Sequence, residues 1–222
     1  VRDIAGGVAA SGGVMAIVPA GRGNDLAHSW HIPTSVTGLA RLLLHGRMRK
    51  VDVLDVNGTV VPGNVYIGID SVATQIINAN RWVPARLLYR LAPVRAIMTW
   101  RPPRYTLTVD GESWQGKAHT VVVANSGVYG HGLRIVPPAI VDDGLANLMV
   151  VGDAPRRAVA TFMRHAKTGA HVHRREVELR TAREVVVDAD RPVPVCADGD
   201  EVGRLPATIR LRSHAISVLV PD

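Results

Sequence analysis

The first place in this sequence where chemistry could be done is a glycine-rich turn between an apolar run and a helix. Val14-Met15-Ala16-Ile17-Val18 ends at Pro19, and Gly21-Arg22-Gly23-Asn24-Asp25 follows. Glycines let the backbone approach a ligand closely, and the start of a following helix points N–H groups at phosphate oxygens. Asn24 and Asp25 are of the type that caps such a helix. Asp25 is equally suited to a phosphate-bound magnesium ion, since hard cations take carboxylate oxygen. The competing reading is a plain strand-to-helix turn, because Gly-x-Gly by itself is common. Further on, Asp198-Gly199-Asp200-Glu201 gathers carboxylates in what reads as a hairpin turn, a role that an active site does not exclude. Asp110-Gly111-Glu112 sits between two β-rich runs and reads as a turn alone. Asn125 to Gly144 is a Gly/Pro-rich loop that closes in a turn at Asp142-Asp143-Gly144. His171 and His173 would share one side of a strand. With no third ligand in view they read as surface histidines rather than a metal site.

These residues need a scaffold, and its character changes near residue 48. Before that point the pattern is α/β: a helix over Val1 to Ala10, the short buried-type strand at 14–18, the glycine turn, then a helix with Val36, Leu39, Ala40 and Leu43 on one face and Gly46 as its stop. After it, Val51 to Val56, the turn Asn57-Gly58 and a further β-rich run read as a hairpin. Residues 82–100 are apolar at helical spacing around Pro84 and Pro93. Strands are expected at 104–109, 118–124, 145–151, 175–181, 184–188, 193–197, 207–211 and 215–220, interrupted by a helix from Pro155 to about Lys167. The division is therefore 1–48 for an α/β piece and 49–222 for a mostly β domain.

The bulk numbers narrow the function classes. Hydrophobic residues make up 47% and charged residues 20%, which is globular rather than disordered composition. A single cysteine, Cys196, excludes an internal disulfide framework and fits a reducing compartment. No apolar run approaches the roughly 20 residues of a membrane-spanning helix, and no secretory leader is visible. The formal charge of +7 calls for an anionic partner. Scattered basic residues and a single Phe argue against nucleic acid and for a nucleotide or an anionic lipid surface.

Three stretches together resemble the diacylglycerol kinase catalytic family. Ile17-Val-Pro-Ala-Gly-Arg-Gly-Asn-Asp25 is similar to that family's Pro-x-Gly-Thr-Gly-Asn-Asp loop, with Arg22 where Thr is usual. Asn125 through Gly144 resembles its run from Asn through a glycine loop and Pro-x-Ala to Asp-Gly. Cys196-Ala-Asp198-Gly-Asp200-Glu-Val-Gly-Arg-Leu-Pro206 resembles its Asp-Gly-Glu signature, with Asp200 in place of Glu. Asn64 to Asp70, Gly169-Ala-His171 and Ala215 to Pro221 extend the likeness along the chain. The family's Gly-Gly-Asp-Gly-Thr phosphate loop precedes a helix like Val1-Arg-Asp-Ile-Ala-Gly-Gly, so the chain is expected to start just after it, with much of the nucleotide domain upstream. On that view the apolar strand 14–18 is a newly exposed sheet edge and a route to self-association, a homodimer included.

The resemblance implies an α/β plus all-β fold: part of an N-terminal nucleotide-binding α/β domain, then a C-terminal β-sandwich. It implies a cytoplasmic ATP- and Mg²⁺-dependent lipid kinase working peripherally at the inner, anionic membrane surface. Gly21, Arg22, Gly23, Asn24 and Asp25 would serve the phosphates. Asp198 would be the general base for the lipid hydroxyl, with Asp200 beside it, because that hydroxyl must lose a proton as it attacks the γ-phosphate. A structural Mg²⁺ would be held by Asp143 with the carbonyls of Ile140 and Leu145. The rival reading is a non-catalytic lipid- or nucleotide-binding sandwich, which the Arg22 and Asp200 departures favour.

Overall fold

The computed structural model describes residues 1–221 other than 22, 81, 83, 84, 131, 156 and 157, and the backbone alone of 85–90, 93 and 160. The chain begins with helix α1 (Arg2–Ser11), a two-residue strand β1 (Val14–Met15), and helices α2 (Asp25–Ser29) and α3 (Val36–His45). Ser35 caps α3 by accepting the Gly38 N–H, 3.1 Å away. Then come β2 (Arg47–Val56), β3 (Thr59–Val61) and β4 (Asn64–Gly68), helices α4 (Ile69–Ala79) and α5 (Ala85–Thr99), and β5 (Arg104–Val109) to β6 (Glu112–Ala124). The remainder is β7 (Ala146–Gly152), helix α6 (Ala158–Ala166), a 3-10 turn at Ala170–His173, β8 (Val177–Ala182), β9 (Glu184–Ala189), β10 (Pro194–Ala197), β11 (Asp200–Arg204) and β12 (Ala207–Val220).

The β strands make a sandwich whose layers share one strand. The first layer holds β5, β9, β12, β2 and β3 in that order. The second holds β11, β10, β4, β6, β7 and β8. β6 belongs to both: residues 112–117 pair with β5, and beyond the register shift between Ala118 and Thr120 it pairs with β7 and β4. Strands that switch sheets at such an irregularity turn the corners of a sandwich. Between the layers lie Leu54, Ile67, Tyr105, Leu107, Val121, Leu148 and Ile209, all at most 2% exposed. That interior is the main source of stability, since each such side chain contributes about 1.5–3 kcal/mol when fully buried.

β12 does more than complete the first layer. Its residues 209–212 pair with β2 inside the sandwich, and 216–220 pair with 47–51, with a bulge between. On its other edge Ser217 and Val218 take β1 as a parallel neighbour. A second apolar cluster forms there from Ala5, Met15, Ile17, Trp30 and Leu42, packed on Val51, Val53, Ile216 and Val218. The apolar run 14–18 is thus paired at 14–15, while Val18 remains exposed.

The bulge is held by a buried carboxylate. Asp52 is fully buried, and its two oxygens accept the N–H of His214 (2.7 Å) and of Gly144 (2.8 Å). Its backbone N–H and C=O are taken by Val141 and by the Asn125 side chain. Because hydrogen bonds to a buried charge contribute about 1.5–3 kcal/mol, Asp52→Ala should lower unfolding free energy by about 3 kcal/mol. The check is the urea midpoint by circular dichroism; a variant as stable as the parent would remove Asp52 from this role.

Candidate active site

Asp198 sits at the tip of the β10–β11 hairpin. It and Gly199 have φ of 48° and 96°, the left-handed pair that a two-residue hairpin requires. The hairpin does not send this side chain into solvent, because it turns back onto the sandwich. Its Oδ1 accepts the Asn64 N–H (3.0 Å) and its Oδ2 the Gly63 N–H (3.1 Å). Only glycine can stand at 63: a Cβ there would lie 2.0 Å from Asp198 Oδ1. The residue is exposed, yet desolvation of its carboxyl group against the sandwich pushes its pKa up to about 6. The two backbone donors and, more weakly, Arg2 pull the other way. Arg2 is the first residue of α1, and its buried Nη1 lacks an acceptor.

The glycine turn of the N-terminal part meets the same region. Asn24 is the residue before α2, but its side chain accepts the Gly21 N–H (2.8 Å) rather than capping the helix. Asp25 reaches across to the Gly/Pro-rich loop and accepts the Gly132 N–H (3.0 Å). Gly23 lies against the same carboxylate, and Arg22 lies outside the described residues. Asp25 therefore ties two loops together, whatever else it holds.

Asparagines pin that second loop to the base of the Asp198 cradle. Asn64, 3% exposed, donates to Ser126 Oγ and to the Val128 carbonyl (both 3.1 Å) and accepts the Ser126 N–H. Asn125 donates to the carbonyls of Asp52 and Pro62. Beneath the Asp198 turn two tyrosine rings stack: Tyr66 and Tyr129 lie 5.1 Å apart and 5° from parallel. The Tyr66 hydroxyl accepts the Gly199 N–H (3.1 Å), and the Tyr129 hydroxyl donates a short bond to Asp70 at the start of α4. Burial raises the Asp70 pKa against that bond, and burial likewise raises both tyrosines. Sequence reasoning noted the stretch 64–70 for its likeness and gave Asn64, Tyr66 and Asp70 no task. The alternation Asn-x-Tyr before a Gly was the available signal.

The remaining expected positions fall elsewhere. Asp200 is exposed at the first position of β11, opposite Ala197. Asp110 spends its carboxylate on the Arg183 and Glu184 N–H groups, as a turn residue would. Asp143 is exposed, with Oδ1 accepting the Leu145 N–H (3.0 Å), while neighbouring Asp142 is held by Arg49 (2.7 Å). Among the described residues no three His, Cys, Asp or Glu side chains gather as metal ligands. A solvent-facing carboxylate on a turn of backbone carbonyls, Ile140 and Leu145 included, is nonetheless a donor set of the hard-oxygen kind magnesium takes.

The expected inward face of α3 is overturned at Val36 and Leu43, which are exposed while Leu42 is buried, and so is the expectation for His171. His171 is not a surface residue on a strand: it lies in the 3-10 turn, wholly buried, with Nε2 2.7 Å from the Ile135 carbonyl and Phe162 edge-on to its ring. Burial lowers its pKa, so it is a neutral pin for the 133–139 loop. His173 is exposed, as expected.

The raised pKa of Asp198 has a stability sign. The folded state holds its proton up to about pH 6, whereas an unfolded aspartate releases it near pH ~4. Ionising Asp198 therefore costs stability as pH rises from about 4 to about 6. In a carboxyl ¹³C NMR titration Asp198 should show a midpoint near 6, and Gly63→Ala, by expelling the side chain, should return it to ~4. An unchanged midpoint in that variant would show that the cradle does not set it.

Comparison with known proteins fits this geometry. Residues 63–220 match the family model described as the YegS C-terminal NAD kinase beta sandwich-like domain, and residues 1–56 match the diacylglycerol kinase catalytic domain. A diacylglycerol kinase of Mycobacterium tuberculosis is 31% identical over 214 residues, covering 93% of this chain and 69% of the relative. One from Staphylococcus saprophyticus is 23% identical, covering 94% and 68%. A crystal structure of a diacylglycerol kinase from Bacillus anthracis superimposes with a TM-score of 0.78 at 19% identity, covering the whole of this chain and 74% of that one.

Proposed function

This chain belongs to the diacylglycerol kinase family, and from that premise we propose that it catalyses transfer of the γ-phosphoryl group of ATP to the hydroxyl of diacylglycerol, giving phosphatidic acid. The observation that carries the reading is the Asp198 carboxylate, held at a hairpin tip by the Gly63 and Asn64 N–H groups, with desolvation pushing its pKa up to about 6. A general base works best when its pKa lies close to the operating pH. A helix start with a buried, acceptor-less Arg2 Nη1 suits phosphate oxygens.

On this reading the lipid oxygen attacks the γ-phosphorus as the bond from that phosphorus to the β,γ-bridging oxygen breaks. Asp198 takes the hydroxyl proton, and ADP leaves with the electron pair of the broken bond. Gly63 and Asn64 hold the Asp198 oxygens, and Tyr66 fixes the turn through Gly199. Gly21, Gly23, Asn24 and Asp25 line the phosphate side, with Asp25 locking that turn against Gly132. Asp200 lies in the same hairpin as a supporting negative charge. Magnesium, when bound, supplies neutralisation of phosphate charge. Asp25 would hold it at the nucleotide, and Asp143 with the carbonyls of Ile140 and Leu145 would hold a structural ion. The enzyme would work peripherally at an anionic membrane face. The absence, among the described residues, of any helix long and apolar enough to cross a membrane is compatible with this.

The test is transfer of labelled γ-phosphate from ATP·Mg²⁺ to diacylglycerol in mixed micelles. It would use this chain and a form extended upstream by a Gly-Gly-Asp-Gly-Thr phosphate loop. Asp198→Asn in the active form should cost roughly 10²–10⁴-fold in kcat, and the parent rate should fall as pH drops through about 6. Full activity in the Asn variant would remove Asp198 from the base role. A sphingoid base or another lipid alcohol accepting phosphate in place of diacylglycerol would redirect the substrate.

A further inference from the structure

Helix α5 is packed the wrong way round for a helix whose surroundings are water. Among its described residues the buried ones are Ala92 and Ala96, at 1% and 0% exposure. The larger apolar side chains Leu91, Val94 and Met98 point outward, at 54%, 51% and 68%, and Trp82, ahead of the helix, is 83% exposed. Positions 91, 94 and 98 fall at i, i+3 and i+7, so they form one stripe. Soluble surfaces scatter exposed apolar residues singly; a contiguous stripe marks a surface that something covers.

The charge around the stripe identifies what covers it. Between Asp70 and Asp110 the sequence has no acidic residue and six arginines. Arg95 lies within the outward face and Arg101 just beyond the helix, both exposed. An apolar stripe with arginines and no carboxylate is complementary to a bilayer with anionic headgroups, where acyl chains take the one and phosphates the other. The stripe is also coupled to the reactive turn. α5 packs on α4, and α4 touches the Asp198 hairpin twice: Asn78 Nδ2 donates to the Gly199 carbonyl (3.1 Å) and Gln75 to Glu201 (2.7 Å).

We propose that the outer face of α5, with Leu91, Val94, Met98, Arg95 and Arg101, is the surface on which this protein seats on an anionic phospholipid bilayer. Trp82 enters the interface beside it. The inference deepens the lipid kinase reading and rests on it for the choice of occupant. α3 also shows apolar residues, Val36, Leu43 and Leu44, but it packs into the N-terminal cluster through Leu39 and Leu42, and among the described residues no hydrogen bond joins it to the Asp198 hairpin.

The experiment needs no turnover, so its failure is separate from failure of the kinase assay. The chain is sedimented with vesicles of phosphatidylcholine alone and of phosphatidylcholine mixed with phosphatidylglycerol. Tryptophan emission is followed in the parent and in Trp82→Phe. Binding is expected to the anionic vesicles, with a blue shift that Trp82→Phe abolishes. Arg95→Ala and Arg101→Ala should each weaken it about five-fold, and raised salt should weaken it further. Leu91→Gln combined with Met98→Gln should remove it while circular dichroism stays that of the parent. Binding lost instead through Leu43→Gln with Leu44→Gln would overturn the assignment in favour of α3. Binding untouched by either pair, or equal on both kinds of vesicle, would overturn it too. So would sedimentation velocity that shows self-association lost in the α5 variants with no vesicle binding in the parent: the face would then join two copies.

Discussion

A single buried carboxylate sets where everything else can be. Asp52 lies where β2 passes from the N-terminal cluster into the sandwich, and burying a carboxyl group is tolerable only when its oxygens are hydrogen-bonded. The partners it takes are backbone N–H groups from two distant segments, the 213–215 bulge and the turn at Gly144. Its own carbonyl receives Asn125, whose neighbour Ser126 is held by Asn64, and the Asn64 N–H ends on Asp198. From the hinge of the two strands to the Asp198 carboxylate, hydrogen bonds and one peptide link join Asp52, Asn125, Ser126 and Asn64. Such a network of local and long-range bonds positions a side chain more closely than packing alone would.

The same region shows how one residue type is given different properties by its surroundings. Asp25, Asp70, Asp110, Asp143 and Asp198 all sit at turns or helix starts. Asp110 and Asp198 even share the left-handed first position of a two-residue hairpin. Both fold back onto neighbouring N–H groups, but the Asp198 group is desolvated enough to push its pKa to about 6. Asp70 goes further inward and shares a proton-bearing partner, Tyr129. The stacked tyrosines separate these two acids while holding the turns that carry them, so that the positions of the glycine loop and of the hairpin are set against one another.

Local signals in the sequence were reliable where the chain decides for itself. Asn57-Gly58 and Asp110-Gly111 form the hairpins their residue types demand, and each strand expected after residue 100 is present, although 112–117 and β11 were not foreseen and 207–220 is one bulged strand rather than two. The glycine turn at 21–25 and the Asp198 hairpin were legible as places, and the family resemblance carried the mixed α/β and sandwich architecture. What was not legible depends on distant partners. α4 is rich in Val, Thr and Ile, poor helix formers whose run looks like strand, and it is helical because Ser71 caps it through Gly68 and it packs on the sandwich and α5. His171 gave no sign of burial because its partner carbonyl, Ile135, lies far away in sequence. The depth of Asp198 is a property of Gly63 and Asn64, which no spacing rule connects to it.

The pairing of β1 with β12 has a consequence for how the chain folds. Val14 and Met15 take as strand partner Ser217 and Val218, which lie far along the chain. Met15, Ile17, Trp30 and Leu42 cannot complete their cluster until Ile216 and Val218 arrive. Contacts of such long sequence separation form slowly, and unsatisfied apolar surface in the interval is what chaperones bind. The cluster around Met15 and Leu42 is therefore a client of β12, and its core closes only once that strand has docked.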